Sequence, residues 1–322
     1  MKKSLINAAI IAALTPPPVN ATIAADALVK VAGRYKIEAV KADGSRRLIS
    51  DWFENLIVDQ GLNRMGTGAF MDYCRVGTGS TSPANSDTQL VAQVASTNTI
   101  QSSSTGTASS APYYGYFIRV FRFGQGAAAG NLTEVGVGWA ATGATLFSRA
   151  LIKDGGGSPT TITVLSDEFL DVTYEFRSYA PTSDSTVPVT ISATSYTFTI
   201  RAANVTSATY WSPKNQAVRD LNSSGVHIEQ SAYNGSIGAV TAAPSGSSDA
   251  PSSVTTGSYS NNSYQADITV QWDLNSGNLS GGISALLFGS TIGGFQLGVS
   301  PVLLKTSVKL LTLVYRVTWA RH

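Results

Sequence analysis

Chemistry in this chain would have to be built around a few residues: His227, Cys74, a knot of carboxylates at residues 167–171 and a glycine-rich turn at residues 77–80. A Ser-His-Asp arrangement would have to use His227, in Ser223-Ser224-Gly225-Val226-His227, because the second of the two histidines is His322. No G-x-S-x-G elbow accompanies it, so an ordinary surface histidine is the simpler reading. A zinc site needs about four Cys or His ligands, and the inventory does not supply a recognisable set. No D-x-D-x-D-G loop marks a calcium site. Gly77-Thr78-Gly79-Ser80 resembles a phosphate cradle but lacks the lysine of a P-loop and a helix at once after it, so it reads as a turn. Ser166-Asp167-Glu168-Phe169-Leu170-Asp171 groups three carboxylates as a glycosidase does, against the plainer reading of a solvated strand entry. The single cysteine, Cys74, lies in Met71-Asp72-Tyr73-Cys74-Arg75-Val76 and reads as a small half-buried strand residue. From this inventory no catalytic residue, cofactor site or metal site is expected.

The elements that would hold these residues are strands. Residues 28–40 read as extended, and Ala42-Asp43-Gly44-Ser45 has hairpin-turn chemistry. Residues 59–65 read as one short helix. Residues 96–111 are nearly all Ser and Thr and should form an exposed loop or edge. Residues 113–123 are apolar on both faces, the mark of a buried central strand, tempered by Arg119 and Arg122. The clearest alternation comes late: Tyr264, Ala266, Ile268, Val270, Trp272 and Leu274 face one way, and Leu311, Leu313, Tyr315, Val317 and Trp319 repeat the pattern. Such half-buried antiparallel strands can pair with each other. With no fixed-period repeat, the expected fold is mainly β, with antiparallel β-sandwich or jelly-roll-like domains. Two prolines in residues 180–188 suggest a division into a β domain over 28–180 and a second over 181–322.

Composition narrows the function classes. Only 13% of residues are charged, 43% are hydrophobic and the formal net charge is +2. Such a chain is too apolar for disorder. It also lacks the clustered basic footprint of a nucleic-acid binder, since Arg46-Arg47 is its one short basic cluster. A lone cysteine cannot make an internal disulfide, so the fold does not depend on an oxidising compartment.

Residues 1–27 have two readings. Lys2-Lys3, the apolar run from Leu5 to Leu14 and Ala25-Asp26-Ala27 fit a secretory signal. Asn7 interrupts the run and Pro16-Pro17-Pro18 halts it, which fits a short apolar arm docking onto a partner through Leu5, Ile6, Ile10, Ile11 and Leu14. No run reaches the ~18 apolar residues of a membrane span. Tyr210, Trp211, Tyr259 and Tyr264 stand in polar loops and are the expected contacts if the chain binds a receptor or glycan.

Three stretches are familiar together. Gly33-Arg34-Tyr35-Lys36-Ile37-Glu38-Ala39-Val40 and Ala42-Asp43-Gly44 lead into Phe53-Glu54-Asn55-Leu56-Ile57 and Asp59-Gln60-Gly61-Leu62, then Cys74-Arg75-Val76-Gly77-Thr78-Gly79-Ser80-Thr81. A second block runs from Leu132-Thr133-Glu134-Val135-Gly136-Val137-Gly138 to Leu146-Phe147-Ser148-Arg149-Ala150, with Leu170-Asp171-Val172-Thr173-Tyr174-Glu175 beyond. The ending holds Phe295-Gln296-Leu297 and Arg316-Val317-Thr318-Trp319-Ala320-Arg321. Together these resemble a loosely defined group of tailed-bacteriophage structural proteins: minor tail, tail-fibre and virion structural proteins. The resemblance implies a non-enzymatic virion component, tail-associated as an adaptor, baseplate or fibre-anchoring piece, assembled in the bacterial cytoplasm. Its implied partners are other virion proteins and copies of itself. A receptor- or glycan-binding tail tip, a capsid decoration or neck protein, and a secreted adhesin are the alternatives.

Overall fold

In a computed structural model of the chain, residues 19–220 and 229–322 are described, with side chains from residue 27 onward. The expected arm residues Leu5, Ile6, Ile10, Ile11 and Leu14, and His227 with its neighbouring serines, lie outside the described residues. The chain opens with β1 (Val19–Lys41), β2 (Arg46–Glu54), β3 (Leu56–Ile57), α1 (Asp59–Met65), β4 (Tyr73–Gly77), β5 (Gln93–Thr97), β6 (Ile100–Thr107) and β7 (Tyr114–Phe123). It continues with β8 (Gly130–Leu132), β9 (Glu134–Gly138), β10 (Leu146–Leu151), β11 (Ile162–Val164), β12 (Glu168–Tyr179), β13 (Ser185–Ile191) and β14 (Thr194–Ala202). The last strands are β15 (Ser231–Tyr233), β16 (Ser248–Asp249), β17 (Ser253–Thr256), β18 (Gln265–Trp272), β19 (Ile283–Ser290), β20 (Gly293–Leu303) and β21 (Leu311–Arg321). The protein is mainly β, as expected, with several antiparallel sheets, one of them curled into a half-barrel, consistent with a β-sandwich-like class.

The largest sheet runs β17-β18-β21-β1-β12-β7-β6, with β2 also paired to β1. Its strands come from both sides of residue 180. The two late alternating segments do pair: Ala266, Ile268, Val270 and Trp272 of β18 stand opposite Val317, Tyr315, Leu313 and Leu311 of β21, and all eight are buried. Burying each of the larger aliphatic ones contributes on the order of 1.5–3 kcal/mol, which makes this pair a main support of the sheet. One pairing departs from the antiparallel expectation. β1 runs parallel to β21, from Val19 opposite Leu311 to Val31 opposite Arg321. Parallel neighbours need a long crossover; here nearly the whole chain supplies it. β1 therefore starts inside the stretch read as arm, and its later half pairs with β12 from Lys30 to Lys41.

Two smaller sheets cover this one. The five-stranded sheet β3-β10-β9-β4-β5 packs on the β12 side, where the ring of Phe70 lies 4.5 Å from Phe147 and 5.3 Å from Phe176. The six-stranded sheet β13-β14-β20-β19-β15-β16 packs on the β21 side, where Phe288 stacks on Tyr315 at 4.1 Å. Pro188 sits in β13, an edge strand, where its missing N–H is tolerated. The short helix forms where expected and is held from the far end of the chain: Trp319 Nε1 donates to the Leu62 carbonyl at 2.8 Å, and Arg321 pairs with Asp59 at 2.5 Å. Gly61 lets α1 approach β10, since a Cβ there would stand 2.1 Å from the Phe147 carbonyl oxygen.

Candidate functional site

The glycine-rich turn points its N–H groups at the protein itself. Thr78 N donates to the Ala92 carbonyl at 2.9 Å, and Gly79 N donates to Glu134 Oε1 at 3.0 Å. Glu134 Oε1 also accepts from Ala92 N at 2.8 Å, and Oε2 accepts from Val91 N at 3.1 Å and Arg149 Nε at 2.9 Å. Arg149 in turn donates to Asp87 Oδ2 at 2.7 Å and to the Thr81 carbonyl at 2.6 Å. Glu134 and Arg149 are fully buried. A buried carboxylate and guanidinium are stable together only when their remaining donors and acceptors are also met, as they are here. The turn that resembled a phosphate cradle is thus closed by an internal carboxylate, and the pair clamps residues 77–92 onto β9 and β10.

Two carboxylates of the three-membered knot, Asp171 and Glu168, are likewise neutralised. Asp171, buried on the outer face of the large sheet, accepts a two-pronged contact from Arg122 at 2.7 and 2.8 Å and a third bond from Arg46 at 2.9 Å. Both oxygens of Glu168 accept from Arg47 Nη2 at 2.9 Å. The Leu165 N–H, and then Arg47, hold the Glu168 carboxyl below the usual carboxylate range. A glycosidase acid must keep its proton near neutral pH, and Glu168 is built for the opposite. Arg34 and Arg177 continue the ladder by pairing with Glu175 at 2.9 and 2.5 Å. The arginines of this face are therefore committed to neighbouring carboxylates.

Cys74 is fully rather than half buried, and that burial pushes its thiol up, which removes it from nucleophilic use near neutral pH. Among the described residues, no three His, Cys, Asp or Glu side chains converge on a point that could hold a metal. No helix among them is long and apolar enough to cross a membrane.

The surface offers more than the interior. Residues 93–107 form β5, the outer strand of the five-stranded sheet, and then β6, the outer strand of the large one. One continuous segment is thus the free edge of two sheets. It carries no charge and no proline, and Ile100–Gly106 of β6 is exposed or partly exposed on both faces. Val91, Val94 and Ile100 add exposed apolar side chains at 55%, 50% and 41%. Native edges are usually blunted by lysine, proline or a covering loop; this one shows two register shifts, between Gln93 and Ala95 and between Ile100 and Ser102.

Comparison with protein-family models, curated proteins and solved structures finds no match. The functional reading therefore rests on the molecule's own surfaces.

The four expected receptor residues do not make one site. Trp211 is fully buried: its Nε1 donates to the Ala203 carbonyl at 2.8 Å and its ring packs edge-on to Phe295. This corrects the expectation of an exposed indole; strands distant in sequence cover it. Tyr210 is partly buried and donates to Glu229 Oε2 at 2.7 Å. Tyr259 lies elsewhere, stacked on Trp319 at 6.0 Å and donating to Asn63 Oδ1 at 2.7 Å, with Tyr264 beside it. A different aromatic cluster does form on the large sheet's outer face. Tyr114 lies 5.2 Å from Tyr179, Tyr179 lies 4.0 Å from His322, and the Arg177 guanidinium covers Tyr114 at 4.4 Å. Its sequence signal was the tyrosine run at 113–116, but Tyr179 and His322 join it only through pairing across the sheet.

Proposed function

We propose that this chain is a non-enzymatic structural component of a tailed-bacteriophage particle, tail-associated, that joins neighbouring virion proteins and copies of itself by adding strands along residues 93–107. The observation that carries this reading is the long, uncharged, unprotected edge shared by two sheets, because a bare edge presents a row of backbone donors and acceptors to an incoming strand. The buried Glu134–Arg149 clamp supports it, since it holds the loop leading into that edge in one conformation. The resemblance to tail proteins supplies the particle. The test is mass spectrometry of purified particles for copy number, with Ser102→Lys/Ser104→Lys in the edge. A small multiple of three or six copies, with incorporation falling by about tenfold or more in the lysine variant, is expected, equivalent to at least ~1.4 kcal/mol of lost contact. Hundreds of copies would move the chain to the capsid surface, and absence from particles would end the reading.

A second reading, a receptor- or glycan-binding role at the particle tip, is favoured by the Tyr114–Tyr179–His322 cluster. Aromatic faces beside a cation suit ring-stacking ligands. Tyr114→Ala would then reduce host-cell binding while leaving particle incorporation intact; unchanged adsorption would remove this role.

A further inference from the structure

The connection from β20 to β21 carries the most exposed large apolar side chains among the described residues, Leu304 at 65% and Val308 at 66%. Beside it opens a cleft of about 140 Å³ whose walls mix Leu303, Leu304 and Leu310 with Ser192, Lys305 and Lys309. With Val302 at 42%, Leu304 and Val308 form one uncovered apolar patch. The topology sets the start of β1 beside it. Val19 stands opposite Leu311, a wall of the cleft, and the two strands run parallel. In a parallel pair, residues preceding Val19 lead off on the side of those preceding Leu311, which are Leu310, Lys309 and Val308. The sequence before Val19 is apolar: Ile6, Ile10 and Leu14 recur every four residues, a spacing that suits one helical face. Thr15 to Pro18 bridge the gap, and at about 3.5 Å per residue Leu14 lies within ~18 Å of Val19.

We propose that this cleft is the seat of the chain's own N-terminal segment, with Ile6, Ile10 and Leu14 covering Leu304, Val308 and Leu310. Segment and seat are joined by only a few residues, so the local concentration of the segment is high and a modest apolar contact suffices. Docking of this kind would keep an apolar segment covered before assembly. It is independent of the particle in which the chain serves.

The test is thiol cross-linking of the full chain. In Leu14→Cys/Val308→Cys, a short bis-maleimide should link the two positions within one chain, seen as an unchanged chain count with both introduced thiols consumed. The native Cys74 is fully buried and does not compete. Leu14→Cys/Leu165→Cys, whose second site is exposed at the opposite end of β1, is the control and should not link. Adding Ile10→Asp to the first pair should lower its linkage by about tenfold or more, because an apolar anchor is lost. Links between chains would assign the cleft to a neighbouring copy and overturn the proposal, as would equal linkage in the control. Linkage insensitive to Ile10→Asp would reflect the tether alone and also overturn it.

Discussion

At the scale of single residues, the protein invests its charge in fixed internal pairs. Glu134 receives three backbone N–H groups and one guanidinium, all from sites distant along the chain. Removing one member strands the other in the interior, at a cost on the order of 3–5 kcal/mol. Glu134→Gln and Arg149→Met should each lower the urea unfolding midpoint strongly, and the double variant should cost clearly less than their sum. Strict additivity would mean that the two groups do not act as a pair. Glu168 gives a pH dependence whose sign follows from its depressed carboxyl. A depressed folded-state value stabilises the fold above the unfolded carboxylate pKa, near ~4.3, and that stability is lost as pH falls through the folded value. Thermal stability of the native chain should therefore drop more steeply below about pH 4.3 than that of Glu168→Gln. Parallel curves would show that the Leu165 and Arg47 contacts contribute nothing to folding. None of this was readable from the sequence beyond the oddity of Glu134 and Arg149 inside apolar strands. The partners that give them meaning arrive from the loop at 79–92.

At the scale of elements, local pattern and local structure agree wherever the pattern reports a period. The alternation of β18 and β21 and the helix at residues 59–65 were legible because burial on one face leaves its trace every second or fourth residue, and the exposed edge because its composition is nearly all Ser and Thr. Trp211 was misread for the converse reason: its flanking residues are loop-like, and Phe295 and Gly293, which cover it, lie far along the chain. The helix also shows packing overriding propensity. Alanine is a better helix former than glycine by about 1 kcal/mol, so propensity alone expects Gly61→Ala to stabilise. The Cβ it would add stands 2.1 Å from the backbone oxygen of Phe147, an atom that cannot rotate away. Gly61→Ala should instead destabilise by roughly 1–3 kcal/mol, whereas Gly155→Ala, with nothing within 4 Å of its Cβ, should be nearly neutral. Chemical denaturation of the two variants decides the sign.

At the scale of the whole molecule, the first and last described strands are neighbours. β1 and β21 lie side by side in one sheet, and β21 reaches back to hold α1 through Trp319 and Arg321. No local pattern could announce this, since each strand alone shows only that one face is buried. The consequence is mechanical as well as thermodynamic. A cut at residue 180 leaves β12 and β7 on one side, and β18 and β21 on the other, of a sheet joined through β1. The fragment 181–322 would expose the β21 edge that β1 covers, together with apolar residues such as Leu313 and Val317 that pack in the shared core. The fragment 28–180 would lose the strand that carries Trp319, the hydrogen-bonding partner of α1. The two fragments expressed apart should therefore fail to give cooperative thermal transitions, and co-expression should restore one. Independent, reversible folding of either fragment would show that the shared sheet is a docking interface between separately stable halves. The free edge at residues 93–107 would then be presented by the first half alone. A cooperative whole instead ties the rigidity of that edge to contacts made at both ends of the chain.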